Sequence, residues 1–111
     1  MEIEKKQTSK QKGIKFIMKH GDQSVASAYL YILRNDFHKR PFGIIEYVIV
    51  DEAYRSKGLG TKIVKAMIAE AKKQDCYKLL LWSRYSKPKV HLLYKKLGFK
   101  DWGKEFRLNF N

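Results

Sequence analysis

The run Arg55-Ser56-Lys57-Gly58-Leu59-Gly60 sets two cations and two glycines directly before a stretch of helical periodicity. Where an extended segment passes through glycines into a helix, unpaired backbone N–H groups and the positive end of the helix dipole meet at one point, which binds anions. Gly58 and Gly60 carry no Cβ, so the backbone can close on a phosphate, while Arg55, Lys57 and Lys62 add formal charge around it. The ligand implied is a pyrophosphate or a similar anion. A Walker loop is excluded by spacing, and a dinucleotide fingerprint requires a third small residue where Ile63 stands.

The elements that must position this loop follow from the patterning around it. Ile44-Ile45-Glu46-Tyr47-Val48-Ile49-Val50 is enriched in β-branched residues and predicts a central strand buried on both faces, with Glu46 its only charge. After the loop, Ile63, Val64, Met67, Ile68 and Ala71 recur at helical spacing, with Lys62, Lys65, Lys72 and Lys73 on the other side. Residues 77–83 form another short apolar run, so strand, helix and strand predict a crossover between parallel strands. Upstream, residues 14–19 and 25–33 read as an antiparallel hairpin about the turn His20-Gly21-Asp22-Gln23. Downstream, Ser86 and Pro88 open a second helix that carries Val90, Leu93, Tyr94 and Leu97 on one face and ends at Gly98. Alternation of Phe106, Leu108 and Phe110 predicts a final strand. The layout is β-β-β-α-β-α-β, an α/β fold with a mixed sheet.

The sequence has 111 residues, enough for one hydrophobic core and too few for two comfortable ones. Residues 1–13 are polar and basic and predict a flexible tail ahead of a single domain at 14–111. No run approaches the ~20 apolar residues of a membrane span, and no apolar leader opens the chain, so a cytoplasmic protein without membrane partners is expected. Cys76, the single cysteine, stands beside Asp75 and reads as a reduced, structurally incidental thiol; no metal-ligand spacing is present. Lysine and arginine outnumber aspartate and glutamate by 24 to 11, a formal charge of +13 that attracts polyanions without choosing among them.

The run from Val48 through Val64 resembles the acetyl-CoA-binding motif of the GCN5-related N-acetyltransferases, whose core is Arg/Gln-x-x-Gly-x-Gly/Ala, filled here by Arg55, Gly58 and Gly60. Tyr94-Lys95-Lys96-Leu97-Gly98-Phe99 is similar to the family's second signature. The resemblance implies an acyl-CoA N-acyltransferase fold and transfer of acetyl from acetyl-CoA to a primary amine in a ternary complex. It further implies that the sheet splays after residues 44–50, that Val48, Ile49 and Val50 offer amides to the pantetheine arm, and that Arg55, Ser56, Lys57, Gly58, Leu59, Gly60 and Thr61 wrap the pyrophosphate.

By the same resemblance Tyr94 is the acid that protonates the leaving thiolate, and Glu46 is the base candidate, a carboxylate whose desolvation in the strand would raise its pKa. The bland alternatives are a strand-edge ion pair for Glu46 and an apolar-face aromatic for Tyr94. His91, one turn before Tyr94, reads either as a neighbour of the site or as a surface histidine. Tyr29 and Tyr31 alternate with Leu30 on one sheet face and either line an acceptor pocket or serve the core.

Family members usually have a strand and two helices before the hairpin, where this chain has only residues 1–13, so an N-terminally shortened fold is expected. Three consequences are open: a cleft wide enough for a peptide or other large amine, a homodimer in which a second subunit completes the acceptor site, or a catalytically weak acyl-CoA-binding domain. The competing reading from charge is a nucleic-acid-binding module with Trp82, Tyr85 and Trp102 as stacking partners, although Trp82 falls in an apolar strand where a core role is expected.

Overall fold

A computed structural model describes residues 1–110. The element order is β1 (Lys12–His20), β2 (Gln23–Leu33), β3 (Phe42–Val50), a 3-10 turn (Glu52–Tyr54), α1 (Leu59–Lys73), β4 (Leu79–Leu81) and α2 (Pro88–Lys96). Two compact units are distinguished, Met1–Leu81 and Trp82–Asn111, and Asn111 lies outside the described residues.

The first unit is a four-stranded sheet in the order β1-β2-β3-β4. β1, β2 and β3 pair antiparallel, and β4 joins β3 in parallel, so the sheet is mixed as the pattern predicts. β2 and β3 supply Val25, Ala26, Ala28, Leu30, Ile32 and Ile45 to a core that α1 closes with Ile63, Val64, Met67 and Ala71. Each of these side chains is removed from water, and burying one Leu, Ile or Met contributes roughly 1.5–3 kcal/mol. The lysines 62, 65, 72 and 73 on the opposite side of α1 are exposed, and no described helix is long and apolar enough to cross a membrane.

α1 ends as a Schellman motif without glycine. Asp75 takes the left-handed φ of 64°, its N–H reaches the Lys72 carbonyl, and the Cys76 N–H reaches that of Ala71. Arg40 secures this end by bonding the carbonyls of Asp75 and Cys76. Burial pushes the Cys76 thiol above its ordinary pKa, the nearby Arg34 and Arg40 opposing and Asp75 adding to the effect, which agrees with a passive thiol.

Three expectations about the strands are corrected. The strand expected at 77–83 is only Leu79–Leu81, in register with Gly43–Ile45, because β3 bulges just beyond that point. Residues 44–50 are not buried on both faces: Glu46, Tyr47 and Ile49 are exposed along the part of β3 that β4 does not reach. The alternation of Phe106, Leu108 and Phe110 forms no strand, and all three side chains are exposed; alternation builds a strand only where a partner supplies the ladder.

The second unit contains α2, which starts with Pro88 in its first turn. Ser86 does not cap it: the cap residue is Lys87, and no side-chain bond is made there. Trp82 lies past the end of β4 and is 49 % exposed, so the core role expected for it is not found.

Candidate functional site

β3 carries the feature that opens the site. Ser27 stands opposite Ile49 and Tyr29 opposite Glu46, so one residue of β2, Ala28, faces two of β3, Tyr47 and Val48. This is a β-bulge, and it holds Tyr47 at a left-handed φ of 52°. Such a conformation costs a non-glycine residue about 1–2 kcal/mol. The bulge redirects β3 two positions after its last β4 partner, Ile45, leaving the outer edge of residues 46–50 without a neighbouring strand among the described residues.

Strand parity then sorts the three positions expected to offer amides. The Asp51 N–H donates to the Val25 carbonyl of β2, so Ile49 faces β2 as well, while Val48 and Val50 face the open edge. The Arg55 guanidinium supports this assignment, since its Nε donates to the Val50 carbonyl at 3.0 Å. Arg55 therefore clamps the end of β3 as well as adding charge to the loop.

The chain next makes the 3-10 turn, with the Tyr54 N–H on the Asp51 carbonyl at 2.8 Å, and enters the loop. Ser56 and Gly58 both adopt left-handed φ, 64° and 79°. Gly58 is the N-cap of α1; no side chain caps the helix and no acidic residue sits in its first turn. The Gly58 carbonyl accepts from Lys62. Among the described residues no backbone or side-chain acceptor takes the N–H groups of Ser56, Lys57, Gly58, Leu59, Gly60 or Thr61. Gly60 does not lack a side chain for want of internal space: a Cβ there would meet only Val50 Cγ2 at 3.9 Å. What its hydrogen leaves free is the approach to the helix N-terminus.

Glu46, Tyr29 and Tyr31 come together on the sheet face opposite α1. Glu46 is the cross-strand neighbour of Tyr29, and the two tyrosine rings stack with centroids 6.1 Å apart and planes at 7°. Lys15, opposite Tyr29 on β1, places its ammonium 5.5 Å from that ring's centroid. Glu46 is exposed and forms no ion pair among the described residues, so neither the burial nor the strand-edge ion pair considered for it is present.

Tyr94 lies in the second unit, half-buried in the last turn of α2, and burial pushes its hydroxyl above the ordinary tyrosine pKa. Its surroundings come from the end of the helix. Gly98 has φ 103°; its N–H reaches the Lys95 carbonyl and the Phe99 N–H reaches that of Tyr94 at 3.0 Å, a full Schellman motif. The Phe99 ring packs edge-on to Tyr94 with centroids 5.9 Å apart. The spacing Tyr94, Gly98, Phe99 is thus the geometry of a helix end that fixes the tyrosine ring. His91, one turn earlier, is partly exposed.

Two features of the site escape sequence reasoning. Tyr47 in a left-handed conformation has no signature, because glycine or asparagine would advertise it and tyrosine does not. The contact between His20 and Tyr54 joins residues far apart in sequence, and no local pattern encodes it.

Residues 1–99 match the Acetyltransferase (GNAT) family. The chain is 36 % identical over 70 residues to a glucosamine 6-phosphate N-acetyltransferase of Trypanosoma brucei brucei, covering 63 % of this chain and 46 % of that protein. It is 32 % identical over 98 residues to the N-alpha-acetyltransferase 30 of Xenopus laevis, covering 86 % of this chain and 35 % of that one. The chain therefore spans less than half the length of either of these curated relatives. Among solved structures, an acetyltransferase of Trypanosoma brucei superposes with a TM-score of 0.81 at 30 % identity, over 88 % of this chain and 69 % of that one.

Proposed function

The chain belongs to the GNAT acetyltransferase family, and from that premise we propose that it transfers an acetyl group from acetyl-CoA to a primary amine by direct attack. The observation that carries this reading is the row of unclaimed N–H groups from Ser56 to Thr61 at an uncapped helix start, next to the open edge of β3. A pyrophosphate fits that chemistry: several amides, the α1 dipole and the cations Arg55, Lys57 and Lys62 converge on one region of the chain.

Each residue then has a task. The amides of residues 56–61 hold the pyrophosphate, and Val48 and Val50 extend hydrogen bonds along the open edge to the pantetheine arm. The N–H at Val48 stabilises negative charge that develops on the thioester oxygen. Glu46 takes a proton from the acceptor ammonium so that a neutral amine attacks, and the sheet face with the partly buried Tyr29 and Tyr31 receives the acceptor. Tyr94 donates its phenolic proton to the departing thiolate. When bound, acetyl-CoA supplies the activated acyl group.

A glucosamine 6-phosphate N-acetyltransferase and an N-alpha-acetyltransferase among the relatives support an amine as the acceptor class. A second reading keeps the acetyl-CoA site without efficient turnover, and the exposure of Glu46 favours it. Thiol release from acetyl-CoA, measured against a panel of amino sugars, small amines and peptides, tests both. Amine-dependent release supports the transferase, whereas acetyl-CoA binding with no release to any acceptor supports the second reading.

A further inference from the structure

The turn between β1 and β2 reaches across to the glycine loop. His20, the last residue of β1, places Nδ1 2.8 Å from the Tyr54 hydroxyl, and the two rings meet edge to face with planes at 73°. Tyr54 closes the 3-10 turn immediately before Arg55. The face of the same ring lies 5.3 Å from the Lys57 ammonium, measured to the centroid. One aromatic side chain thus joins the β1–β2 turn through its hydroxyl and a cation of the loop through its π-face.

Two other bonds hold the ends of the loop, from Arg55 Nε to the Val50 carbonyl at 3.0 Å and from the Lys62 N–H to the Gly58 carbonyl, and its middle is held by neither. Its N–H groups from Ser56 to Gly58 have no acceptor among the described residues, and the Arg55 N–H makes a long 3.3 Å bond to Glu52. Ser56 and Gly58 both require left-handed backbone. A loop that must present several amides to one anion binds weakly if it has to be ordered by the ligand itself, and bracing it beforehand removes that cost.

We propose that His20 and Tyr54 are positioning residues that brace residues 55–60 in the shape that receives the anion, with the Tyr54 ring holding Lys57 beside the loop. This rests on the acetyl-CoA reading above. Neither side chain is assigned a role with the reacting atoms; their effect is on cofactor affinity.

The test is calorimetric titration of acetyl-CoA into the wild type, His20→Ala, Tyr54→Phe, the double variant and His20→Asn, with steady-state kinetics on each. A hydrogen bond of ordinary net strength predicts that His20→Ala and Tyr54→Phe each weaken binding about three- to tenfold. The double variant is then no weaker than the worse single one, because both remove the same bond. His20→Asn, whose amide offers a donor or an acceptor in place of Nδ1, recovers most of the affinity. KM for acetyl-CoA rises while kcat changes less than about twofold. Unaltered affinity in both single variants, additive losses in the double, or a fall in kcat at constant affinity overturns the brace and leaves the acetyl-CoA site intact. A wild type that does not bind acetyl-CoA overturns the site, and the brace with it.

Discussion

Tyr94 is half-buried and Glu46 exposed, and different tests suit the two roles proposed for them. Burial favours the neutral phenol of Tyr94. In the proposed role of general acid it would stay competent until pH passes a value above the ordinary tyrosine pKa of about 10. The alkaline limb of kcat should therefore lie beyond that of free tyrosine and vanish in Tyr94→Phe, with kcat about a hundredfold lower. The linkage has the same sign: its contribution to stability is complete below the unfolded-state value and is lost as pH rises through the folded one. Glu46 is exposed, so Glu46→Gln should lower kcat about 10- to 100-fold near neutrality, a modest loss on the scale of general-base catalysis. That loss should shrink as pH rises towards the pKa of the acceptor amine, which then arrives neutral without help; a pH-independent loss would argue for another role. Gly58 and Gly98 are legible in the sequence as residues that permit left-handed backbone, because their type declares it. Tyr47 and Ser56 adopt the same region without that signal.

At the scale of elements, the loop separates two roles for glycine. Gly58 caps α1 at φ 79° with open space where a Cβ would stand, so Gly58→Ala should cost about 1–2 kcal/mol of stability through backbone strain alone. Gly60→Ala should leave stability unchanged or raise it by roughly 0.4–1 kcal/mol while weakening acetyl-CoA binding. Denaturant titration beside calorimetry distinguishes these outcomes, and a Gly60→Ala protein with normal affinity would show that the helix start is not approached closely. Strand and helix periodicity makes α1, the hairpin and the parallel β3–β4 pair readable from the sequence, since each buries one face against another. The short reach of β4 is not readable, because it follows from the bulge at Tyr47 and Val48, a backbone event set by register with β2. The C-terminal alternation misleads for the reverse reason: an amphipathic pattern records a capacity to pair, and residues 101–110 have no secondary structure.

For the molecule as a whole, the charge of +13 acts on association before it acts on chemistry. A basic protein meets an anionic thioester faster at low ionic strength, so kcat/KM for acetyl-CoA should fall several-fold between about 0.01 and 0.15 M salt, as the Debye length shortens from about 30 to 8 Å. An uncharged acyl donor should show a much smaller change. The acceptor half of the proposed reaction is less legible than the donor half. Tyr29, Tyr31 and Glu46 share an open sheet face, and such a face constrains an amine less than an enclosed pocket does. The donor half is local in sequence, from Val48 to Thr61, and for that reason its pattern can be read from the residues alone.

The most direct measurement is the affinity of acetyl-CoA for the wild type and for Gly60→Trp, with thermal unfolding recorded on both. A Cβ at position 60 meets nothing closer than 3.9 Å, so the new side chain starts in free space, and the unfolding record separates a blocked helix start from a damaged fold. One acetyl-CoA should bind per wild-type chain, and Gly60→Trp should lose at least a hundredfold in affinity, a difference of about 2.7 kcal/mol, with unfolding little changed. Equal affinity in the two proteins would contradict the proposed acetyl-CoA site.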